Sequence, residues 1–272
     1  MSGQVIILQV GVSTACLYPE PLEDALYQLA VNGVGNMEIF INTHSEIKEK
    51  FVRELKNILD RFDVGCLSLH PYTCEIEPLM FFSDYDRRLE DALEYYKLYF
   101  EAMNILGAKI FVLHGGKADR GKELYCQRYS RLYRLGQEFG VTVAVENVTR
   151  CQSRSSAFIR EISGMLGSEF AFVLDTKQAV RAGETPFAFL DAAGKSTIHA
   201  HISDYGEIGD CLLLGNGSFN FKRFFEKLNS LNPNASVIIE LYRSGFSGIS
   251  ELISSYNRLL KMTEQYRNIR AC

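Results

Sequence analysis

The chain has 272 residues, 47% hydrophobic and 23% charged, which is the balance of a folded globular domain and not of a disordered segment. Its formal net charge of −4 argues against the basic surface that nucleic-acid binding requires. Seven cysteines without a C-x-x-C pair predict neither a disulfide framework nor a cysteine zinc site, and they favour a cytoplasmic location.

The first predicted element is the apolar stretch VIILQVGV at 5–12. It is too short to cross a membrane and has no basic leader, so we interpret it as a strand. Apolar runs predict eight strands, with a helix such as 83–106 between successive strands and Gly107 as its stop signal. The predicted strands are 5–12, 34–40, 64–70, 108–114, 141–147, 170–175, 198–203 and 236–241.

The spacing of these elements predicts the fold class. Dividing 272 residues by eight gives 34 per unit, which is the length of one strand followed by one helix. Alternating strands and helices indicate a parallel sheet, and the first strand is not followed by a glycine-rich nucleotide motif. We therefore predict a (β/α)8 TIM barrel formed by a single domain over residues 1–272.

Six apolar runs each end on a side chain that can bind a metal. These residues are His70, His114, Glu146, Asp175, His201 and Glu240. Alternation along a strand places Glu146 on the same face as Ala144. Small residues suit the crowded interior of a barrel, so we expect the six side chains to point inward at the carboxyl-end mouth, where barrel enzymes have their active sites.

Three carboxylates brought together at this mouth repel one another unless a cation neutralises them. Glu146, Asp175 and Glu240, joined by His201, therefore predict one divalent metal ion. Oxygen ligands with one nitrogen suit manganese, magnesium or cobalt, and zinc is compatible with them. His70 and His114 either bind a second ion or substrate, or donate hydrogen bonds to a metal-binding carboxylate.

Several segments together resemble the xylose isomerase-like barrels, which include sugar and sugar-phosphate isomerases and epimerases and the type IV apurinic endonucleases. The segments are IFVLHGG, VAVENV, FVLDTKQA, HAHISD, LGNGSFNF and IIEL. The resemblance implies that Glu146, Asp175, His201 and Glu240 hold one metal. It also implies that Glu146 and Glu240 transfer protons on a carbohydrate-like keto compound, through an enediolate that the metal stabilises.

The endonuclease branch of this family provides the alternative function. His70 and His114 match its second metal site, whereas the third site is lost, because the family's D-T-x-H motif ends here in Lys177-Gln178 and its D-x-H motif reads 209–211 as Gly-Asp-Cys. A dinuclear phosphoesterase therefore remains as the alternative to the isomerase. A third hypothesis, a metabolite binder without catalysis, leaves crowded carboxylates without a use.

Four residues are predicted to contact the substrate: Glu38, Lys117, Gln178 and Arg243. Lys117 is alternatively a solvated surface lysine, Arg243 the ion-pair partner of a neighbouring carboxylate, and Glu38 a group that supports a metal ligand. His199 shares a face with His201 but is expected one layer deeper. The glycine-rich segment 204–218 is predicted to be either a mobile lid or an ordinary connection. The sequence is compatible with a homo-oligomer, and it does not identify the substrate.

Overall fold

Eight parallel strands close into a barrel in the computed structural model, which describes residues 8–268. The predicted fold class is thus confirmed, while residues 5–7 of the first predicted strand lie outside the described part. The barrel strands are β1 Gln9–Ser13, β2 Asn36–Phe40, β3 Gly65–His70, β4 Ile110–Leu113, β5 Thr142–Glu146, β6 Phe172–Asp175, β7 Thr197–Ile202 and, after a hairpin of β8 Asp204–Gly206 and β9 Gly209–Leu212, β10 Ser236–Ile239.

Helices surround this barrel and follow its strands. The predicted helix 83–106 begins at Asp86 and ends at Leu106, and Gly107 terminates it with a φ of 84°, a left-handed conformation that glycine adopts without strain. The helices are α1 Leu22–Val31, α2 Glu49–Arg61, α3 Glu77–Met80, α4 Asp86–Leu106, α5 Lys122–Glu138, α6 Ser156–Leu166, α7 Thr176–Arg181, α8 Pro186–Ala193, α9 Phe221–Leu231 and α10 Ile249–Asn268.

The two faces of the strands have different side chains, as the alternation predicts. Inside the barrel, a small apolar cluster contains Val112, Ala144, Ala171 and Val173. The alternate residues, such as Phe111 and Leu174, belong to the large core between strands and helices. Interior space is therefore left for polar side chains at the same strands' carboxyl ends.

Strand pairing sets the height of the mouth residues. His201 on β7 is level with Asp175 on β6 and with Ile238 on β10. The backbone N–H of Glu240, just past β10, donates to the carbonyl of Ile202 at 3.2 Å. Because the ladder is continuous here, the ends of β6, β7 and β10 present their side chains at one rim.

The segment 204–218 contains a hairpin in which β8 pairs antiparallel with β9. Asp204 is buried and fixes the end of the segment, since its carboxylate accepts backbone N–H groups of Gly215, Gly217 and Phe219 at 2.7–3.0 Å. Across residues 8–268, none of the helices combines the length and the apolar character needed to cross a bilayer.

Candidate metal centre

Four strand ends bring the predicted metal-binding side chains together. Glu146 ends β5, Asp175 ends β6, His201 lies on β7 and Glu240 follows β10. One ligand atom from each lies within 4.8 Å of the other three. The carboxylates of Glu146 and Glu240 approach the same nitrogen of His201, Nδ1, at 3.1 and 3.6 Å. The geometry therefore forms a compact cluster of three carboxylates and one imidazole.

The ionised form of this cluster requires positive charge nearby, because burial and mutual repulsion both oppose the ionisation of its carboxylates. The pKa of Asp175 is raised from 3.8 to about 7, mainly by burial and also by the negative charges of Glu146 and Glu240, against the attraction of Lys177. For Glu146, burial opposes ionisation, yet hydrogen bonds from His114, His201 and His70 hold its pKa well below the usual range. The carboxylates are thus stabilised by the cations and imidazoles around them.

The residues fit a divalent cation. Asp175 Oδ2 is buried and accepts no hydrogen bond, although its Oδ1 caps α7 by accepting the N–H of Gln178 at 2.7 Å. The ammonium of Lys177 lies 3.3 Å from this oxygen, and a divalent ion would give it the closer partner that a buried carboxylate oxygen needs. Three oxygen donors with one nitrogen suit manganese, magnesium, cobalt or zinc.

Lys177 also enters this cluster, a role that the sequence analysis missed. Its side chain is buried, and Nζ lies 2.8 Å from Glu240 Oε2 and 3.3 Å from Asp175 Oδ2. Burial opposes its charge, but Asp175 and Glu240 raise the pKa of Lys177 well above its usual value, so it is an ammonium. The sequence feature that indicated this role was the position of Lys177 two residues after Asp175. An exposed lysine in the first turn of a helix commonly has the same position.

Beneath the cluster lies a second polar layer around Glu38. Its carboxylate accepts hydrogen bonds from Ser13 and Ser68 at 3.0 and 2.8 Å, and it lies 2.9 Å from His201 Nε2. Burial opposes ionisation, but the charge of His201 and hydrogen bonds from His199 and His201 keep the pKa of Glu38 well below its usual range. A metal-binding histidine is commonly oriented by such a carboxylate.

Glu38 and His199 thus both lie below the mouth. Glu38 is fully buried, and its position suits a carboxylate that orients His201; the substrate contact of Glu38 stays a prediction. His199 lies in the deeper layer that was expected for it, with Nδ1 2.6 Å from Ser236 Oγ.

The two remaining strand-end histidines form a separate pair. His70 Nε2 and His114 Nε2 are 3.0 Å apart, and His114 Nε2 is also 3.1 Å from Glu146 Oε2. Cys74, which the sequence analysis did not select, joins them in a group whose ligand atoms lie within 4.8 Å of one another. Burial raises the pKa of its thiol, and Glu77 adds to this, so at neutral pH Cys74 carries its proton.

A cavity of about 380 Å³ opens above both groups. Glu146, Glu240, Lys177 and Gln178 line it. The side-chain oxygen of Gln178 already accepts the N–H of Thr149 at 3.0 Å, which leaves its amide nitrogen for a ligand. This volume is at the small end of the range for small-molecule sites.

Two predicted substrate contacts lie outside the cavity lining. Lys117 is half-exposed, and its ammonium is 3.6 Å from Glu75 Oε2. Arg243 donates to the carbonyl of Phe246 at 2.9 Å and stacks on that ring. Neither side chain lines the cavity, and the substrate contacts of Lys117 and Arg243 stay predictions.

A model of the family described as xylose isomerase-like TIM barrel matches residues 26–266. The chain belongs to this family. The xylose isomerase-like barrel is also similar to an uncharacterized protein of Methanocaldococcus jannaschii, MJ1311, which is 21% identical over 255 residues, covering 88% of this chain and 85% of that protein.

Solved structures share the same barrel. A D-tagatose 3-epimerase-like protein superposes with a TM-score of 0.78 and 19% identity, over 97% of this chain and 100% of that one. D-psicose 3-epimerase, solved in the presence of D-fructose, superposes with a TM-score of 0.75 and 11% identity, over 94% of this chain and 98% of that one. At these identities the likeness establishes the xylose isomerase-like fold, and the chemistry must be argued from the site.

Proposed function

We propose that this protein is a divalent-metal-dependent isomerase or epimerase of a sugar or sugar-like keto compound. The observation that carries the proposal is the placement of Glu146 and Glu240. They end strands separated by β6 and β7, line one cavity and approach one nitrogen of His201. Two carboxylates that reach a small cavity from different strands suit proton removal and return at neighbouring positions.

Glu146, Asp175, His201 and Glu240 would hold the metal. When bound, it would supply Lewis-acid stabilisation of the negative charge that develops on the substrate oxygens as an enediolate forms. The structural relatives named above support a sugar as the substrate class, because two of them are named as a 3-epimerase or as similar to one.

The protein's own residues provide the proton transfer. Burial opposes the ionisation of Glu240, but the charges of Lys177 and His201 lower its pKa, so it is a carboxylate that can accept a proton. We assign to Glu146 and Glu240 the removal of the proton next to the carbonyl and its return. Lys177 Nζ, 2.8 Å from Glu240 Oε2, orients this carboxylate and keeps it ionised until it takes the proton from the substrate.

Deuterium incorporation tests this function directly. The magnesium- or manganese-loaded protein is incubated in D2O with ketoses, a 2-keto-inositol and hydroxypyruvate, and the carbon next to the carbonyl is followed by mass spectrometry and proton NMR. We expect label at that carbon with at least one compound, and none with Glu146→Gln. Absence of exchange with the whole panel would overturn the proposal.

The second candidate is a dinuclear phosphoesterase, favoured by one observation. Glu146 Oε2 lies 3.1 Å from His114 Nε2, while Glu146 Oε1 contacts His201, so this carboxylate reaches both groups as a bridging ligand would. Two metal ions per chain and hydrolysis of a phosphodiester such as bis(p-nitrophenyl) phosphate would support it. One ion per chain and no hydrolysis favour the isomerase.

A further inference from the structure

Lys177 and a bound metal would have the same two carboxylates as partners. The ammonium nitrogen of Lys177 lies 2.8 Å from Glu240 Oε2 and 3.3 Å from Asp175 Oδ2, and both acidic residues belong to the cluster of four that could hold the ion. The Lys177 side chain is only 4% exposed, so little water reaches this contact to screen its charge. A divalent ion that binds there meets a positive charge already placed on two of its four ligands.

The backbone around Lys177 is fixed, which directs its side chain into the cluster. Asp175 Oδ1 caps α7 by accepting the N–H of Gln178 at 2.7 Å. Thr176 Oγ1 donates to the carbonyl of Ser203 at 3.0 Å and accepts the N–H of the same residue at 2.9 Å. The residues before and after Lys177 are thus both held in place.

An aromatic ring gives the same ammonium a further partner. Lys177 Nζ is 4.9 Å from the centre of the Tyr242 ring, which is within the range of a cation–π interaction. The Tyr242 hydroxyl accepts a hydrogen bond from Arg181 at 2.9 Å, and this bond orients the ring. Because a metal ion does not compete for the ring, the charge of Lys177 stays in the cavity when an ion shares the carboxylates.

The arginines of the cavity are paired with other carboxylates. Arg181 donates two hydrogen bonds of 2.7 and 2.8 Å to Asp210, and Arg150 forms an ion pair with Glu75. Asp210 and Glu75 lie outside the metal-binding cluster. Among the lysines and arginines that line the cavity, Lys177 is therefore the one whose ion pairs are made with the cluster itself.

We propose that Lys177 is an internal cation that competes with the metal ion for Asp175 and Glu240 and thereby weakens metal binding. The inference rests on the metal dependence in the proposed function and adds the residue that regulates it. A centre that binds its ion against an internal positive charge releases the ion more readily. Occupancy of the site then depends on the metal concentration around the protein.

Calorimetric titration of the metal-free protein with manganese and with magnesium measures this competition. The titrations are made at about pH 8, where protons compete little for carboxylates. We expect Lys177→Met to bind both ions about tenfold or more tightly than the wild type, because a positive charge beside two ligands has been removed. Damage to the packing would weaken binding instead, so the direction of the change separates charge from packing.

Two further variants and a second readout support this measurement. Lys177→Gln also removes the charge and should give the same gain, including the case in which the methionine variant does not fold. The control is Lys122→Met, since Lys122 pairs with Glu161 at the surface of α5, and it should bind the ions within about twofold of the wild type. Manganese should also raise the melting temperature of Lys177→Met more than that of the wild type.

The outcomes separate this inference from the proposed function. Equal or weaker metal binding by the Lys177 variants overturns the inference. Deuterium exchange is measured on the same proteins at saturating manganese. Tighter binding by the variants without any exchange by the wild type contradicts only the isomerase, and exchange with unchanged affinities contradicts only the competition. Absence of metal binding by all the proteins contradicts both.

Discussion

The two halves of the barrel mouth solve the problem of buried charge in different ways. The acidic half consists of Glu146, Asp175, His201 and Glu240, and the histidine half consists of His70, Cys74 and His114. In the acidic half, one carboxylate oxygen of Asp175 has no hydrogen-bond donor even with Lys177 at 3.3 Å. In the histidine half, the Nε2 atoms of His70 and His114 are 3.0 Å apart and can share a proton, and the buried atom without a partner is a ring nitrogen, His70 Nδ1, and not a carboxylate oxygen.

This difference indicates which half needs a metal. Carboxylates without enough donors gain from a divalent ion, whereas a histidine pair with its own proton must release that proton before it can bind one. Glu146 contacts both halves, so it couples them. We therefore expect one tightly bound ion in the acidic half, and the following experiments test that asymmetry.

The largest effect is expected from Glu240→Gln. The amide keeps the shape of the side chain but cannot accept a proton, so deuterium exchange should fall by about 10²- to 10⁴-fold, the usual contribution of a general base. Circular dichroism shows whether the barrel is intact. Exchange within threefold of the wild-type rate would remove Glu240 from the proton transfer.

The second-largest effect is expected on metal content, which should differ between variants of the acidic half and variants of the histidine half. Asp175→Asn exchanges a carboxylate oxygen for an amide and should leave the chain without stoichiometric metal after gel filtration, since hard divalent ions prefer charged oxygen ligands. The matched double variant His70→Gln, His114→Gln should keep about one ion per chain, measured by inductively coupled plasma mass spectrometry. The reverse pattern, with metal lost only from the histidine variant, would assign the tight site to the histidine half.

The stability of the metal-free protein should depend on pH in a defined direction. The pKa of Asp175 is raised from 3.8 to about 7, so the folded chain holds a proton that the unfolded chain has lost between these values. The free energy of unfolding should therefore fall as pH rises through this window.

Protonation of the histidines changes the free energy of unfolding in the same direction. Burial opposes protonation of His201 and His70, but surrounding carboxylates raise both pKa values, and this contribution to stability is also lost as pH rises. Urea titrations of the metal-free protein at pH 5, 6, 7 and 8 measure the slope. Asp175→Asn should flatten it by about one proton, and an unchanged slope would show that Asp175 is already ionised at pH 5.

The smallest effect is expected from Cys74→Ser. Because burial and Glu77 raise the pKa of the thiol, Cys74 is protonated at neutral pH and contributes little to metal binding. Metal content and exchange rate should stay within about twofold of wild type, because thiolate and not thiol is the ligand. Loss of one of two bound ions in this variant would instead support the dinuclear phosphoesterase.

Much of this architecture could be predicted because strands and their ends are local features. Apolar runs that end on His, Asp or Glu place the acidic half at one rim of a parallel barrel. The depth of a residue within its strand is less evident. Glu38 comes two residues before the end of β2 and pairs with Ser68, two residues before His70, so it lies one layer below the mouth.

Lys177 could not be assigned from the sequence because its partners are distant in the chain. It bonds Glu240, 63 residues away, and this contact depends on how α7 starts against β10. The structure of the segment 204–218 could not be predicted from the sequence either, since the position of its end depends on three backbone N–H groups that donate to Asp204. Such contacts follow from the closed barrel and not from a local pattern.

The ladder that joins β6, β7 and β10 has a consequence for how such a protein can diversify. Residue-by-residue pairing of Asp175 with His201 and of His201 with Ile238 fixes the ring of candidate metal ligands through backbone hydrogen bonds of the sheet. The connections after β3 and β7 can then be exchanged or lengthened without displacing that ring. Loops grafted from another barrel of the family should therefore change the surroundings of the cavity and leave the candidate metal ligands in place.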